Sequence, residues 1–578
     1  MKLVISSFLR TLRERDEFDK LLPDLVLAMG YRPLVRPQTG VRQFGVDLPV
    51  VGTNPDDKVE ELVLFTIKRG DVGRHDWSSG SQAVGPSLDE IRDVYLTKDV
   101  EPAHQKLRKR IVLATTGDLK QDAQRNWTAY CEKYKHEALF EFWGGDKVAE
   151  LIERYMLDEH VFFEEDRTDL RKALAFAGER DYSMTDLDRM LMRQLGLVGD
   201  GTLAADSKDG KHLAKALTRL NLALHMFTKA AQDAGDTRQA LWAAERFILK
   251  AWHRIQLSQE PDDRLALVAY TSLVKSYLDC GLTYLRKISP YVQIREGMSG
   301  YCRESSEYAV VLQEHIGLIA SVGLSVLCIA GAKEGPGEAA AVADLLVTML
   351  DNMEATGSPR LDENAVDIAL ALLLLTFTDR IDAAKQWLEK LCVMVEFAFA
   401  RRMGFPISSD SFDDLVDITV HPDETLLADA MGASWLTATL ATWCAVLEMD
   451  AQYGFLASRL KERSPTVRPQ LWHPDAESVK RWYSAASHRE TGDTEVIDLP
   501  LDIGRLRERM KRFFELDKRD VMKTSPALRS GFYCLDYIAS RHYRTPVPAR
   551  NWYGLAFAAP QSEENVPSKS GPEQTTGD

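Results

Sequence analysis

"FGVDLPVVG" at residues 44–52 and "ELVLFTIKRG" at residues 61–70 decide how the N-terminal part of this chain folds. Both are apolar runs rich in valine, leucine and phenylalanine. Between them "TNPDDKVE", residues 53–60, supplies the Asn, Pro and Asp that make turns. The pattern predicts two successive antiparallel strands, preceded by the short extended segment "YRPLVRP" at 31–37. Two residues do not fit a purely apolar strand pair: Asp47 interrupts the first run and Lys68 ends the second.

Working outward, "DEFDKLLPDLVLAMG" at 16–30 has apolar residues at helical spacing and a glycine stop at Gly30, so it reads as a first helix. Downstream, "SLDEIRDVYL" at 87–96 predicts a helix with Ser87 and Glu90 spaced as a capping box. "KRIVLATTG" at 109–117 lacks alternation and predicts a strand buried on both faces. A helix through "DLKQDAQRNWTAYCEKY", a strand "ALFEFWGG" and a helix "DKVAELIERYML" complete the unit. The expected order is helix, three strands, helix, strand, helix, strand, helix. That is an α/β domain over residues 1–165, one mixed sheet flanked by helices.

Phosphodiester hydrolysis by a divalent cation needs oxygen ligands for the metal, a group that orients water, and positive charge for the developing anion. Two adjacent strands can bring these to one spot. Asp47 and the main-chain carbonyl of Ile67 are candidate metal ligands, and Lys68 is the candidate that positions water and neutralises charge. Side chains alternate along a strand, so Thr66 shares a face with Lys68 and belongs to the same site. The local alternatives are a strand-end aspartate bonded to nearby backbone and a lysine snorkelling at a strand end.

The succession "EFDKLLPDLVLAMGY", "TGVRQFGVDLPVV" and "LVLFTIKRGDV" resembles the PD-(D/E)xK nuclease superfamily, and within it the Mrr-like restriction endonucleases. The resemblance covers about residues 10–165 and extends into "IVLATTGDLKQDAQ" and "FEFWGGDKVAELIERYMLDEH". It implies that Asp47 is the metal-binding aspartate and Lys68 the catalytic lysine. It also implies that Asp19, with Glu17 as second choice, is the acidic residue of the first helix, and that Mg²⁺ or Mn²⁺ is the cofactor. Thr66 stands where the family pattern has Glu, Asp or Gln, which lowers the charge around the metal by one.

The segment "KRGDVGRHDWSSGSQ" holds Arg69, Arg74, His75 and Trp77, read either as a DNA-contacting loop or as solvated arginines beside a packed tryptophan. "HQKLRKR" places Lys106, Arg108, Lys109 and Arg110 before a strand, where they either line the same cleft or form a solvated face.

From about Arg167 the pattern turns helical. "KHLAKALTRLNLALHMFTKAAQDAG", "TRQALWAAERFILKAWHRIQ", "RLALVAYTSLVKSYLDCGLTYLRKI" and "RIDAAKQWLEKLCVMVEFAFARRMG" are long amphipathic segments with short connections. No fixed repeat period overlays them, so residues 166–485 are expected to form an all-helical irregular solenoid or bundle that senses, binds a protein partner or oligomerises. Residues 486–560 read as mixed, and 561–578 as a disordered tail. "IGLIASVGLSVLCIAGA" at 316–332 is slightly short for a membrane span and broken by glycines; a buried core helix is expected, as for "IALALLLLTFT" at 368–378.

With 578 residues and 45% apolar composition, the chain has enough for several cores. Its net charge of -15 argues against a protein that coats nucleic acid by bulk electrostatics, though it leaves room for a local basic cleft. The N-terminus turns charged too soon for a signal peptide, so a cytoplasmic, membrane-free protein is expected. Seven widely spread cysteines read as small buried hydrophobes. No GxxxxGK[ST], GxSxG or HExxH pattern is present. The expected function is a metal-dependent deoxyribonuclease of bacterial restriction or antiphage defence. The alternatives are a catalytically silent scaffold and, more remotely, a membrane-perturbing effector. Cutting two strands takes two sites, so a homo-oligomer is expected.

Overall fold

The structure is a computed structural model that describes the chain apart from residues 1–4, 6–8, 11–17, 35–43, 79–82, 156–163, 180–181, 200, 260, 262, 303–304, 335, 402, 410, 422–429, 485–490 and 558–578. Glu17 and the tail at 561–578 therefore lie outside the described residues. The chain divides into two compact units, Met1–Arg286 and Lys287–Asp578. The boundary expected at 165/166 falls inside the first.

The first unit begins with α1 (Asp19–Ala28), β1 (Arg32–Pro33), β2 (Leu48–Thr53) and β3 (Glu60–Lys68). Then come α2 (Arg74–Ser78), α3 (Val84–Glu90, running on as a wide π-helical stretch Ile91–Asp99), β4 (Arg108–Thr115), α4 (Gln121–Tyr134), β5 (Leu139–Trp143) and α5 (Gly145–Tyr155). The element order follows the sequence reading, with the short α2 added. α1 ends as expected: Met29 closes the last turn and Gly30 takes φ +95°, a left-handed conformation that favours glycine.

The sheet order is β1-β2-β3-β4-β5. β1, β2 and β3 pair antiparallel, with Leu48 opposite Phe65; β3, β4 and β5 pair parallel, with Lys68 opposite Thr115. β3 is the central strand, buried without a break from Glu61 to Ile67. Continuous apolar composition is what a strand covered on both faces requires. One core gathers Leu62, Leu64, Ile111 and Leu113 from the sheet with Val84, Leu88 and Ile91 from α3 and its extension.

The capping box is corrected. α3 starts at Val84, three residues before Ser87, and no side chain caps it. Ser87 instead lies within the first turns, where its hydroxyl donates to the Ala83 carbonyl at 2.9 Å. Pro86 fits an early helical position, where no N–H is needed. The box spacing therefore marked the wrong turn.

The rest of the unit is helical: α6 (Glu164–Phe176), α7 (Thr185–Leu195), α8 (Lys211–Asp233), α9 (Thr237–Gln256) and α10 (Arg264–Val292), the last reaching into the second unit. Arg254 of α9, almost fully buried, is satisfied by the Leu195 carbonyl, Ser258 and Asp209.

The second unit contains α11 (Ser305–Glu334), α12 (Pro336–Asn352), α13 (Asn364–Phe377), α14 (Ile381–Ala400) and α15 (Phe412–Val420). They are followed by β6 (Ala433–Ser434), α16 (Trp435–Val446), α17 (Asp450–Arg463), β7 (Arg468–His473), α18 (Ala476–Arg481) and β8 (Asp493–Val496). The last elements are α19 (Ile503–Thr524), α20 (Pro526–Arg529), α21 (Cys534–His542) and α22 (Arg550–Phe557). α11 contains the one helix segment among the described residues long and apolar enough to cross a membrane, Glu307–Ile329, and 78% of that window is buried inside the protein. It packs on α13 closely enough that a Cβ on Gly317 would meet the Asp367 carboxylate and one on Gly323 the Leu374 side chain.

The all-helical expectation for 166–485 is also corrected. β6 and β7 fall within this range and pair parallel; β8, in the part expected to be mixed, adds antiparallel to β7 to complete a three-stranded sheet. "RPQLWH" of β7 carries only two buried apolar residues, Leu471 and Trp472, too few to show a two-residue period. None of the seven cysteines forms a disulfide. Cys280, Cys392, Cys444 and Cys534 are buried as read, whereas Cys131, Cys302 and Cys328 are half-buried.

Candidate functional site

The site is built where β2 separates from β3. The Phe65 carbonyl accepts from the Asp47 amide at 2.8 Å. Two residues on, the Ile67 amide donates to Asp47 Oδ2 at 2.6 Å. Both groups of β3 therefore point to the β2 edge. An extended residue turns its carbonyl to the same edge as its own N–H, so the Ile67 carbonyl faces the gap beside Asp47. Continuing the pairing register one step sets Asp47 opposite Thr66.

The Asp47 carboxyl feels all of its expected neighbours. Burial pushes its pKa up. The Ile67 amide, the Lys68 ammonium and the Thr66 hydroxyl pull it down, and the Asp19 carboxylate adds to the rise. The Thr66 hydroxyl is buried and near enough to help hold the charge, though it makes no well-aligned hydrogen bond. The β2–β3 register brings Asp47, Thr66 and the Ile67 backbone together, and the charges of Lys68 and Asp19 act on the Asp47 carboxyl. These are hard oxygen donors beside a cation, a set suited to Mg²⁺ or Mn²⁺ with water completing the shell. Among the described residues no three His, Cys, Asp or Glu side chains converge as a metal cluster. The site thus offers two carboxylates, a carbonyl and a hydroxyl.

The floor beside Lys68 is closely packed. Gly70 N–H donates to Thr116 Oγ1 at 3.0 Å, and Thr115 Oγ1 donates to the Gly70 carbonyl. A Cβ on Gly117 would come within 2.4 Å of the Gly70 carbonyl carbon, so only glycine fits this approach. Val72 bridges Leu119, tying the segment after β3 to the segment after β4. "ATTG" supplied these threonines and the glycine, and the sequence reading gave them no role beyond ending a strand.

The expected DNA contacts separate into two groups. Arg69, Arg74 and His75 are exposed on the segment that follows Lys68. Trp77 is packed. Its ring meets Trp127 and Tyr130 edge-on, with centroids 6.4 and 6.0 Å apart, and belongs to the core under α4. It is half-buried against that core, which favours the packing alternative for that residue.

Arg108, Lys109 and Arg110 are corrected in place: they stand at the other end of the sheet. Arg108 is opposite Glu61 and Arg110 opposite Val63, so about seven residues, or about 23 Å of strand, separate Arg108 from Lys68. Their charges are used there. Glu61, fully buried, accepts from Tyr31 at 2.7 Å, Asn54 at 3.0 Å and Arg108 Nε at 2.8 Å, and pairs with Arg110 at 3.2 Å. Arg108 also pairs with Asp57, and Arg110 with Glu141. Lys109 points elsewhere, its Nζ donating to the carbonyls of His104 and Gln105 at 2.9 and 2.7 Å. Lys106 is exposed on the turn before β4, also at this far end. The signal for this latch was an acid at the start of an otherwise apolar strand and two arginines two residues apart on the next.

Comparison with protein-family models, with curated proteins and with solved structures found no match for the chain.

Proposed function

We propose that the N-terminal α/β part is a restriction-endonuclease-like, metal-dependent nuclease that hydrolyses DNA phosphodiester bonds, serving bacterial restriction or antiphage defence. One observation carries this reading: the Asp47 carboxyl lies under the combined influence of Lys68, Thr66 and Asp19 while bonded to the Ile67 amide. Separate strands and a helix contribute these groups, and a merely local role for Asp47 asks for none beyond the amide.

Asp47, Asp19 and the Ile67 carbonyl would hold Mg²⁺ or Mn²⁺. Such an ion, when bound, withdraws charge from the phosphoryl group and acidifies its water. Lys68 orients the attacking water and offsets the negative charge that builds on the phosphate oxygens. Arg69, Arg74 and His75, exposed next to it, bind backbone phosphates without reading sequence. The helical remainder acts as sensor, partner-binding or oligomerisation region.

The test is cleavage of plasmid and linear duplex DNA with Mg²⁺ and with Mn²⁺ by the full chain, beside Lys68→Ala and Asp47→Ala. Metal-dependent cutting that both substitutions remove upholds the reading. Absence of cutting by the wild type under every condition favours a catalytically silent scaffold, toward which the neutral Thr66 points.

A further inference from the structure

The helix that carries Asp19 is tied to the helical part of the first unit by a buried polar chain. Asp24 of α1 accepts from Asn221 Nδ2 of α8 at 2.6 Å. Asn221 Oδ1 in turn accepts from Ser276 Oγ of α10 at 2.8 Å, and that hydroxyl lies 3.3 Å from His225 Nε2. Asn221 is 1% exposed, Ser276 5% and Asp24 8%, so water cannot replace these partners. A carboxylate taken this far from solvent is costly unless donors hold it, which makes the Asp24–Asn221 contact a strong restraint on the helix bearing it.

The geometry of α1 converts that restraint into control of the site. Five residues separate Asp19 from Asp24, about 140° of rotation and about 7.5 Å of rise. One short helix thus carries both Asp19, whose charge is felt at Asp47, and Asp24, which bonds α8. Phe18 at the start of this helix and Leu21, Leu22, Leu25 and Val26 within it are buried, so its apolar side is packed against the rest of the unit. Asn221 and Ser276 lie beyond residue 165, outside the part of the chain expected to carry catalysis.

We propose that Asn221 is a positioning residue for the Asp19–Asp47 pair. Its amide sets the rotation of α1, and through it α8 and α10 govern how tightly the pair holds a divalent cation. The proposal rests on the nuclease reading only in taking that pair as a cation site. It names the helical elements through which the site is regulated.

The test is calorimetric titration of Mn²⁺ alone into the full chain, needing no DNA. The variants are Asn221→Leu, Asp47→Ala, and the exchange Asp24→Asn with Asn221→Asp, which reverses donor and acceptor and keeps the bond. Asn221→Leu is expected to weaken Mn²⁺ binding by about 10-fold, the effect of losing a group that orients a ligand, and the exchange to restore it. If Asn221→Leu unfolds, Ser276→Ala, which removes the donor to Asn221 Oδ1 together with that hydroxyl's contacts to His225 and the Ser272 carbonyl, gives a smaller loss in the same direction. Wild-type affinity in folded Asn221→Leu or Ser276→Ala, or failure of the folded exchange variant to rescue, overturns the positioning role while loss of binding in Asp47→Ala leaves the cation site standing. A wild type that binds no Mn²⁺, or an Asp47→Ala variant that binds it equally well, removes both.

Discussion

Asp47 Oδ2 and the Ile67 amide meet at 2.6 Å across the point where β2 leaves β3, so one residue's carboxylate fixes the backbone of the other immediately before Lys68. Burial makes the charge on that carboxylate costly, and its neighbours only partly offset the cost. Asp47→Asn keeps an acceptor for the Ile67 amide and removes the charge. The variant is expected to lose Mn²⁺ binding yet unfold at the same or a higher temperature, with a gain of up to about 1 kcal/mol, as is usual when a functional group is exchanged for a comfortable one. Paired thermal melts and metal titrations check it. A clear drop in melting temperature would count against a site held at the expense of stability.

Thr66→Glu adds a carboxylate to a buried position beside another. Without metal the variant is expected to be less stable by about 1–3 kcal/mol, since an unpaired buried charge is penalised. With Mn²⁺ its melting temperature should rise further than the wild type's, and less metal should be needed for half-maximal cleavage. Melts over a metal series measure this; equal metal response in the two proteins would place residue 66 away from the cation.

Glu61 anchors the opposite end of β3 through Tyr31, Asn54, Arg108 and Arg110. Glu61→Ala leaves two partly buried guanidinium groups short of their partner and should cost about 3–5 kcal/mol. Because about 23 Å of strand lies between Arg108 and Lys68, cleavage per folded molecule should be unchanged below the melting transition. Denaturation curves with active-site titration separate the two quantities.

In the second unit Asp362 accepts from the Ser434 hydroxyl and the Trp435 amide at 2.6 Å each, and from the Leu436 amide at 3.2 Å, capping α16. Burial nevertheless pushes its carboxyl from 3.8 up to about 6. A folded-state pKa above the unfolded one means the folded protein binds the proton more tightly. This contribution to stability is full below about pH 4 and lost as pH rises through about 6. At about 1.4 kcal/mol per unit the change amounts to about 3 kcal/mol. The stability difference between wild type and Asp362→Asn, followed by denaturation from pH 4 to 7, should move against the wild type by about that much as pH rises. A flat difference refutes it.

Asp367, fully buried in α13, is held by both terminal nitrogens of Arg544, at 2.9 and 2.8 Å, while Arg544 Nε reaches Glu363 at 2.9 Å. Arg544→Met should cost about 3–5 kcal/mol, because it strands a buried charge. Adding Asp367→Asn should recover part of the loss, and a double-mutant cycle on thermal stability reads the coupling.

Much of the first unit was legible in the chain. Unbroken apolar runs predicted β3 and β4, helical periods predicted α1, α4 and α5, and turn residues located the β2–β3 connection. Those signals are local and repeat over several residues. β6 and β7 escaped notice because β6 has two residues and β7 only two buried apolar ones, and the capping box misled because its spacing also fits a helix already under way.

Residue identity alone marked Asp47 and Lys68 as out of place in apolar strands, since their burial needs a reason wherever the strands go. What only tertiary structure decided is which charges share a neighbourhood. Arg108 and Arg110 follow Lys68 by about forty residues, yet the parallel β3–β4 register commits them to Glu61 at the far end. Asn221 lies some two hundred residues beyond Asp19 and bonds the same short helix. Periodicity and propensity act over a few residues, whereas Coulomb forces and desolvation act through space. The partner of a buried charge is therefore fixed by how the chain returns on itself.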